Sequence, residues 1–323
     1  PSEALTQATV YMIITTIGMP FIFGYNAVCG ILRGMGESKR PLIFISVAAV
    51  VNVVADVFLV AVLKMEAAGT AIATVLSQFG AFAAAFYYLY KHREEFDFEL
   101  KLSYFRLEKE SLWIIIKLGI PQFVRVMLVQ SSMLWIKSNV NSYGLVVSAT
   151  NSVGDKIQKF LNVFMNGVDA AAGAMIGQNL GARKIDRIRK GVRSSMLLSL
   201  LTSLIISAAM FLFGKNILSL FISGEPQQTQ EVLAIAFKYL SIMAAMLWVL
   251  YFLYVYRSAL QGLGDTLMPM VSGMAEFVMR ISAALILPHF IGQDGIFFAE
   301  IAAWSGATVI LCISYYARMH KYH

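Results

Sequence analysis

The sequence predicts an all-α polytopic membrane protein built from two related halves. Only 14% of its 323 residues are charged, whereas soluble domains carry about 25%, and its mean hydropathy is +0.68. The apolar residues also form runs of roughly 20 or more, the length that a helix needs to cross a bilayer core of about 30 Å. A turn that occurs twice in the sequence predicts the two halves.

Nine apolar segments are long enough to be transmembrane helices. They are 9–32, 42–63, 67–90, 112–138, 144–176, 192–213, 231–260, 269–287 and 294–317. A polar stretch, 91–110, separates the first three from the other six. We therefore predict that 1–90 holds the last three helices of an N-terminal half, that 91–110 is a connecting loop, and that 111–323 is a complete six-helix C-terminal half.

Basic residues predict the orientation, because they are concentrated in alternate loops. The rich set contains Arg33, Lys39, Arg40, Lys91, Arg93, Lys101, Arg106, Lys109, Arg183, Lys184, Arg187, Arg189, Lys190, Arg193, Arg257, Arg318 and Lys321. The opposite loops contain Lys64 and Lys215. Since cytoplasmic loops are rich in Lys and Arg, we expect the first set and the C-terminus in the cytoplasm. The net charge of +7 then reflects membrane orientation, and we expect no nucleic-acid partner.

The repeated turn reads LRGMGESKRPL at 32–42 and LQGLGDTLMPM at 260–270, an offset of 228 residues. Each copy follows an apolar segment and places Pro in the first turn of the next one, where a missing N–H is tolerated. Repeats of this kind are typical of transporter folds. Four predicted segments lie between the central loop and the second copy, but only one precedes the first copy. We therefore expect the intact protein to have three more N-terminal helices, about 120 residues, and twelve helices in all.

Polar residues at membrane depth are candidates for function, because they are costly there. Asn52 and Asp56 are one turn apart on the second segment, and Thr74 lies at a matching depth on the third. A carboxylate, a carboxamide oxygen and a hydroxyl suit a hard cation such as Na⁺, with Asp56 as the principal ligand, and the carboxylate alone can carry a proton. The alternative is a hydrogen-bonded pair that holds two helices together.

The corresponding positions of the second half predict a buried charge cluster instead. The repeat offset of 228 places Asn52 on Arg280, and Glu276 lies one turn from Arg280. The third helix aligns on Gly69 and Gly295, an offset of 226, which places Thr74 on Glu300. In this cluster the guanidinium would occupy the place of a mobile cation. Structural stabilisation is the favoured role, because breaking a buried pair is strongly destabilising.

A polar stripe follows one face of the fifth segment. Its members are Asp155, Lys159, Asn162, Asn166 and Asp169. Such a face meets either other helices or a water-filled cavity, since lipid cannot satisfy it. Arg125 and Gln130 of the fourth segment are further candidates for a cavity wall, and Arg125 is a candidate partner for Asp155.

Motifs of hydrolytic or redox chemistry are missing from the sequence, which contains no P-loop, HExxH, GxSxG or CxxC. The sequence therefore predicts a protein that is not an enzyme and has no cofactor. Energy for transport would come from an ion gradient or from a partner.

The repeated turn and four other stretches resemble the multidrug and toxic compound extrusion (MATE) family. The matching stretches are YNAVCGILRGMGESKRPL (25–42), GTAIATVLSQ (69–78), KLGIP (117–121) and IGQNLGARKIDRIRKG (176–191). The resemblance covers the whole chain. It implies an antiporter in the inner membrane of a bacterium that exports small organic compounds, often cationic, in exchange for Na⁺ or H⁺, and we expect a monomer.

The resemblance also implies a cation site. Many relatives use an Asp in the first helix together with an Asn, an Asp and a Thr, and the last three match Asn52, Asp56 and Thr74. Some relatives carry a functional acid in the seventh helix, where this chain has Val129 followed by Gln130. The pattern ExxxR at 276–280 is similar to the bacterial branch related to DNA-damage-inducible transporters, as is the Glu at 300.

Two other functions fit the architecture less well. A flippase for a lipid-linked oligosaccharide or a peptidoglycan precursor needs a basic cavity for pyrophosphate, but the polar stripe mixes Asp155 and Asp169 with Lys159. A receptor or scaffold that transports nothing leaves the internal repeat unexplained.

Overall fold

A computed structural model describes residues 2–95, 108–142, 145–220, 226–292 and 295–322, without the side chains of 2–4, 139–142, 145–161, 226–228 and 231. The described residues form helices joined by short turns, and no strand occurs among them. The chain divides into two compact units, Pro1–Leu107 and Glu108–His323. The division falls within the segment predicted to be the connecting loop.

The first unit contains three helices. Helix α1 is Ser2–Gly34, α2 is Lys39–Asp56 and α3 is Glu66–Lys91. A π-helical turn, Val57–Val62, continues α2. Helix α3 packs against both α1 and α2.

Small side chains on α3 allow this close packing, as is common between membrane helices. Ala81 and Ala85 are buried in a core with Tyr25 and Leu32 of α1. The Tyr25 hydroxyl also donates to the Pro41 carbonyl at 2.9 Å, which ties α1 to the start of α2.

The described residues of the second unit form eight helices. They are α4 (Lys109–Ser142), α5 (Leu145–Gly181), α6 (Ile185–Ser219), α7 (Pro226–Ala245), α8 (Leu247–Gly262), α9 (Leu267–Ile286), α10 (Pro288–Ile291) and α11 (Gly295–His320). Helix α8 packs against α5, α6 and α11, and α9 packs against α4 and α11. The core of the unit therefore surrounds α8.

The contact between α5 and α8 is close because small residues lie on both sides. Ser258 of α8 donates its hydroxyl to the Asp169 carbonyl of α5 at 2.6 Å. A Cβ at Gly262 would lie 2.9 Å from the Cβ of Ile176 and 3.1 Å from the Gly173 carbonyl oxygen. Glycine is therefore required at 262 for this packing.

Helices α7 and α8 form one bent pair, with an angle of 48° between Val232–Ala245 and Leu247–Gly262. A break within a membrane requires partners for the backbone groups that lose helical hydrogen bonds. Ser207 of α6 donates to the Ala244 carbonyl at 2.6 Å. Thr308 of α11 donates to the Val249 carbonyl at 3.2 Å. Hydroxyl groups of two neighbouring helices thus bind carbonyls on either side of the bend.

Several helices have the length and composition of membrane spans. Within the described residues, seven helices are long and apolar enough, and the bent pair makes an eighth. The predicted segment 144–176 lies in α5, which is not among these eight, so neither the predicted count of nine nor the inferred total of twelve is confirmed. Apolar side chains also cover the outer faces, and on α2 Val50, Val53 and Val54 are 61–64% exposed.

The two copies of the repeated turn adopt the same backbone conformation. Gly36 and Gly264 lie at equivalent positions and both have positive φ, +92° and +76°. In each copy the N–H of the next residue donates to the carbonyl five positions earlier at 2.9 Å. This is the Schellman arrangement, in which a glycine with left-handed backbone ends a helix.

The acidic residue of each copy then caps the following helix. Oε1 of Glu37 accepts backbone N–H groups of the residues two and three positions later, at 3.0 and 3.2 Å. Oδ1 of Asp265 accepts the equivalent pair at 3.1 and 3.2 Å. The acid in the repeated motif therefore satisfies N–H groups that a helix start leaves unpaired.

We expect Gly36→Ala to lower the free energy of unfolding by about 1–2 kcal/mol, because an alanine is strained in the left-handed region. Thermal unfolding of the protein in detergent measures the change. Gly34→Ala is the matched control, since Gly34 is helical and a Cβ there meets no atom within 4 Å. Equal stability of the two variants would contradict the role given to the positive φ.

Candidate functional site

The first unit places Asn52 and Asp56 one turn apart at the end of α2. Both side chains are half-buried. Asn52 Nδ2 and Asp56 Oδ1 are shielded from solvent, and neither atom has a hydrogen-bond partner within the described ranges. Buried polar atoms without a partner are uncommon and require an explanation such as an ion or water.

Thr74 lies on α3, the helix that packs against α2. Its hydroxyl donates to the Thr70 carbonyl at 2.9 Å, which leaves the hydroxyl oxygen able to accept or to ligate. In the part of the chain that the structure describes, no hydrogen bond joins Thr74 to Asn52 or Asp56. The described residues therefore do not form the interhelical hydrogen-bonded pair that was the alternative prediction.

The backbone changes immediately after Asp56. This residue ends α2, and the π-helical turn Val57–Val62 follows it directly. The Leu63 N–H donates to the Phe58 carbonyl, five residues earlier, at 3.1 Å. Single π-helical turns inside helices frequently mark functional positions, and the sequence offered no signal for this one.

The second unit contains a cavity of 550 Å³ between α4, α5, α7, α8, α9 and α11. All predicted wall residues with described side chains line it. They are Arg125, Gln130, Asn162, Asn166 and Asp169. Asp155 and Lys159, together with the predicted pair of Asp155 with Arg125, lie outside the described side chains. The described part of the polar stripe on α5 therefore borders a cavity.

One wall of the cavity is an ion-pair network. The structure brings together Glu276, Arg280 and Glu300, as the sequence predicts. Arg280 contacts both Glu300 oxygens at 3.0 Å, one through Nε and the other through Nη2. Its Nη2 also lies 3.8 Å from Oε2 of Glu276. The guanidinium is fully buried, so these carboxylates replace the water that it has lost.

Two further side chains complete the network. Arg280 Nη1 donates to the Ser132 hydroxyl of α4 at 2.6 Å. On the other side, Arg257 donates through Nη2 to Oε1 of Glu276. Two guanidinium groups therefore balance two carboxylates, which suits a site with little access to water.

The sequence-based assignment of Arg257 to a cytoplasmic loop is wrong. The residue lies inside α8 and is 5% exposed. A signal for its burial was present, because the repeat offset places Arg257 on Cys29, which lies inside an apolar segment and is also buried. Without Arg257, the other basic residues of the set are still concentrated in the same alternate loops.

Arg125 is held differently from the other two arginines. Its Nε donates to Gln122 Oε1 at 3.2 Å, and the same oxygen accepts from Gln261 Nε2 at 2.8 Å. The described residues offer Arg125 no ion pair. A Cβ at Gly273 of α9 would lie 3.3 Å from the Arg125 Cα, so glycine allows this close approach. No pattern in the sequence indicated Gln122, Gln261 or Gly273.

Asp169 supplies a carboxylate to the same cavity. Its Oδ1 is buried and has no hydrogen-bond partner among the described groups. The charges of Arg257 and Arg125 both act on this carboxylate. Outside the balanced network, the cavity wall thus carries one carboxylate, Asp169, and two basic groups, Arg125 and Lys137.

Comparison with known proteins identifies the family. The sequence model of the MatE family matches residues 1–58 and 121–286. The chain is 32% identical to the probable multidrug resistance protein YpnP of Bacillus subtilis, over 92% of this chain and 65% of that protein. It is 27% identical to the probable multidrug resistance protein YoeA of the same organism, over 99% of this chain and 70% of that protein. The chain therefore spans about two thirds of these relatives.

Solved structures share the fold. A transporter of the MOP superfamily from Pyrococcus furiosus matches with a TM-score of 0.90 at 20% identity, over 97% of this chain and 70% of that one. A mutant of the MATE transporter VcmN from Vibrio cholerae matches with a TM-score of 0.84 at 20% identity, over 96% of this chain and 68% of that one. With the family match over most of its length, the chain belongs to the MATE family.

Proposed function

We propose that this protein is a cation-coupled antiporter that exports organic compounds, chiefly cations, across the inner membrane of a bacterium by alternating access. The observation that carries the proposal is Oδ1 of Asp56 on α2, a carboxylate oxygen that is shielded from solvent and has no hydrogen-bond partner among the described residues. A buried carboxylate without a counter-charge is costly. Binding of Na⁺ or of a proton removes that cost.

Either coupling ion is compatible with these groups. Na⁺ is a hard cation that takes oxygen ligands, which Asp56, the Asn52 carboxamide and the Thr74 hydroxyl supply. A proton needs the Asp56 carboxylate alone. In both cases the ion would bias the conformational equilibrium by binding one state more tightly than the other.

The cavity of the second unit is the proposed substrate site. Asp169 supplies negative charge, while Met133 and Phe297 contribute polarizable apolar surface. Such walls accept ligands of varied shape. The Glu276 and Glu300 carboxylates are already neutralised by arginine, so in this proposal they stabilise the wall and do not bind the substrate.

The proposed orientation follows the basic residues. The loop between α5 and α6 and the end of α11 carry several of them, which supports a cytoplasmic C-terminus. We propose a monomer, because each candidate site is formed by groups within one unit of one chain.

A flippase for a lipid-linked pyrophosphate is the second candidate, and Arg125 is the observation that favours it. This guanidinium lines the cavity without an ion pair in the described part, and guanidinium groups bind phosphate well. The carboxylate of Asp169 opposes this function. Accumulation of lipid-linked precursor in a deletion strain, without altered dye efflux, would favour the flippase.

We expect Asp56→Asn to abolish efflux of a cationic dye from cells, because the carboxamide carries no charge to bind Na⁺ or a proton. Dye efflux is measured under an imposed Na⁺ gradient and an imposed proton gradient, with the amount of protein in the membrane determined in parallel. The control is Glu110→Gln, which removes an equal charge from an exposed position at the start of α4. Full efflux by Asp56→Asn under both gradients would refute the coupling role.

The ion-pair network generates a separate expectation. Arg257→Met should lower the free energy of unfolding by about 3–5 kcal/mol, because it leaves the Glu276 carboxylate with a weakened partner in a buried site. The double variant Arg257→Met, Glu276→Met removes both charges and leaves Arg280 with Glu300. It should be clearly more stable than the single variant in a thermal unfolding assay.

Efflux by the double variant separates a structural role from a role in transport. If the network is structural, a double variant that is folded in the membrane retains dye efflux. A stable double variant without efflux would instead assign Arg257 or Glu276 to the transport mechanism.

A further inference from the structure

The second unit contains another cavity, which lies where α6 begins and where α8 and α11 end. Its volume is 530 Å³. Helices α6 and α11 both pack against α8, and the cavity occupies the space between them. Its wall combines basic, aromatic and aliphatic side chains. They are Arg189, Val192, Arg193, Met196, Tyr256, Tyr315, Tyr316, Met319 and His320.

The residues of α6 that line the cavity lie near the start of this helix, which places the cavity at the membrane surface. Helix α6 has 35 residues and is about 52 Å long at 1.5 Å per residue, whereas the hydrocarbon core is about 30 Å thick. Its first turns, which carry Arg189 and Arg193, therefore extend to the headgroup region. Tyrosines are enriched at that depth, and three line the cavity.

The cavity is polar and basic at one end. Arg189 and Arg193 both line it, and no carboxylate does so among the described residues. The nearest acidic partner of Arg189 is Asp186, at 3.8 Å, with a side chain that is 90% exposed. A neighbouring cavity of 490 Å³ shares Arg189 and adds three basic residues and one carboxylate, Arg183, Lys184, Arg187 and Asp186. The local field therefore favours an anion.

The other end of the cavity is apolar and well packed. Tyr256 of α8 is buried, and its ring lies 5.6 Å from that of Tyr315 and 6.2 Å from that of Tyr316. Val192 and Met196 of α6 form the opposite wall. A free phosphate ion would contact the arginines and leave this apolar wall in contact with water. A phospholipid would cover both ends.

We propose that the cavity between α6 and α11 binds an anionic phospholipid, with the headgroup phosphate at Arg189 and Arg193 and the first part of an acyl chain along Val192, Met196 and Tyr256. Basic cavities between membrane helices at the headgroup level recognise lipids of this class. The site is separate from the substrate cavity and from the candidate cation site, so it does not depend on the transported compound.

The test is native mass spectrometry of the purified protein in detergent, titrated with phosphatidylglycerol, phosphatidylcholine or glycerol 3-phosphate. Phosphatidylglycerol should bind at least about 10-fold more tightly than phosphatidylcholine. The double variant Arg189→Gln, Arg193→Gln should lose about 30-fold in affinity for phosphatidylglycerol, since each basic residue at an anionic surface contributes roughly five-fold.

A matched control separates the cavity from general surface charge. Lys190→Gln, Arg318→Gln removes the same charge from the same helix ends at positions that line neither cavity, and it should keep the affinity for phosphatidylglycerol. Equal losses in the two double variants would overturn the proposal. Thermal unfolding shows whether each variant is folded.

The apolar part of the proposal has its own variant. Met196→Trp fills the cavity next to Tyr256 and keeps both arginines, so it should weaken phosphatidylglycerol and leave the weak binding of glycerol 3-phosphate unchanged. Binding of glycerol 3-phosphate as tight as that of phosphatidylglycerol would instead show a site for free phosphate. Equal binding of phosphatidylcholine would show that the site does not select anionic headgroups. Either result would refute the lipid site.

Discussion

The cost of burying charge away from water is the constraint on which the second unit depends. Four ionised side chains, Arg257, Glu276, Arg280 and Glu300, lie in its interior, and they are tolerated because each has a partner of opposite charge. The same pairing joins three helices, α8, α9 and α11, and reaches α4 through Ser132. The network therefore forms one wall of the cavity, while Asp169, Arg125 and Lys137 line the cavity outside the network.

The first unit meets the same constraint in another way. Asp56 forms no ion pair with any of the described residues, and the position equivalent to Arg280 is Asn52. A buried charge without a partner in the protein attracts a mobile ion. A charge that is paired with another side chain is already neutralised. The two units thus carry different side chains at equivalent helix positions, and this contrast supports the proposal of a coupling ion in the first unit and of a structural wall in the second.

Periodicity and the internal repeat were sufficient to predict the helical class, the cavity-facing positions of Asn162, Asn166 and Asp169 on α5, and the grouping of Glu276, Arg280 and Glu300. These features depend on the spacing of residues along one helix, or on the alignment of equivalent helices in the two halves of the sequence. Arg257 was misplaced because it lies near the end of an apolar segment, where hydropathy does not separate a loop from a helix end. The π-helical turn after Asp56, the bend at Met246 and the contacts of Gln122 depend on packing between helices that are distant in sequence, which a single sequence does not encode locally.

The two Schellman turns have a mechanical consequence. Each connection is short, its backbone N–H groups are satisfied, and its carboxylate clamps the start of the next helix, so a displacement at the end of one helix passes directly to its neighbour. Helices α1 and α2 are therefore joined without a flexible linker, and so are α8 and α9. The bend between α7 and α8 is held in another way, because Ser207 and Thr308 of neighbouring helices donate to carbonyls on either side of it.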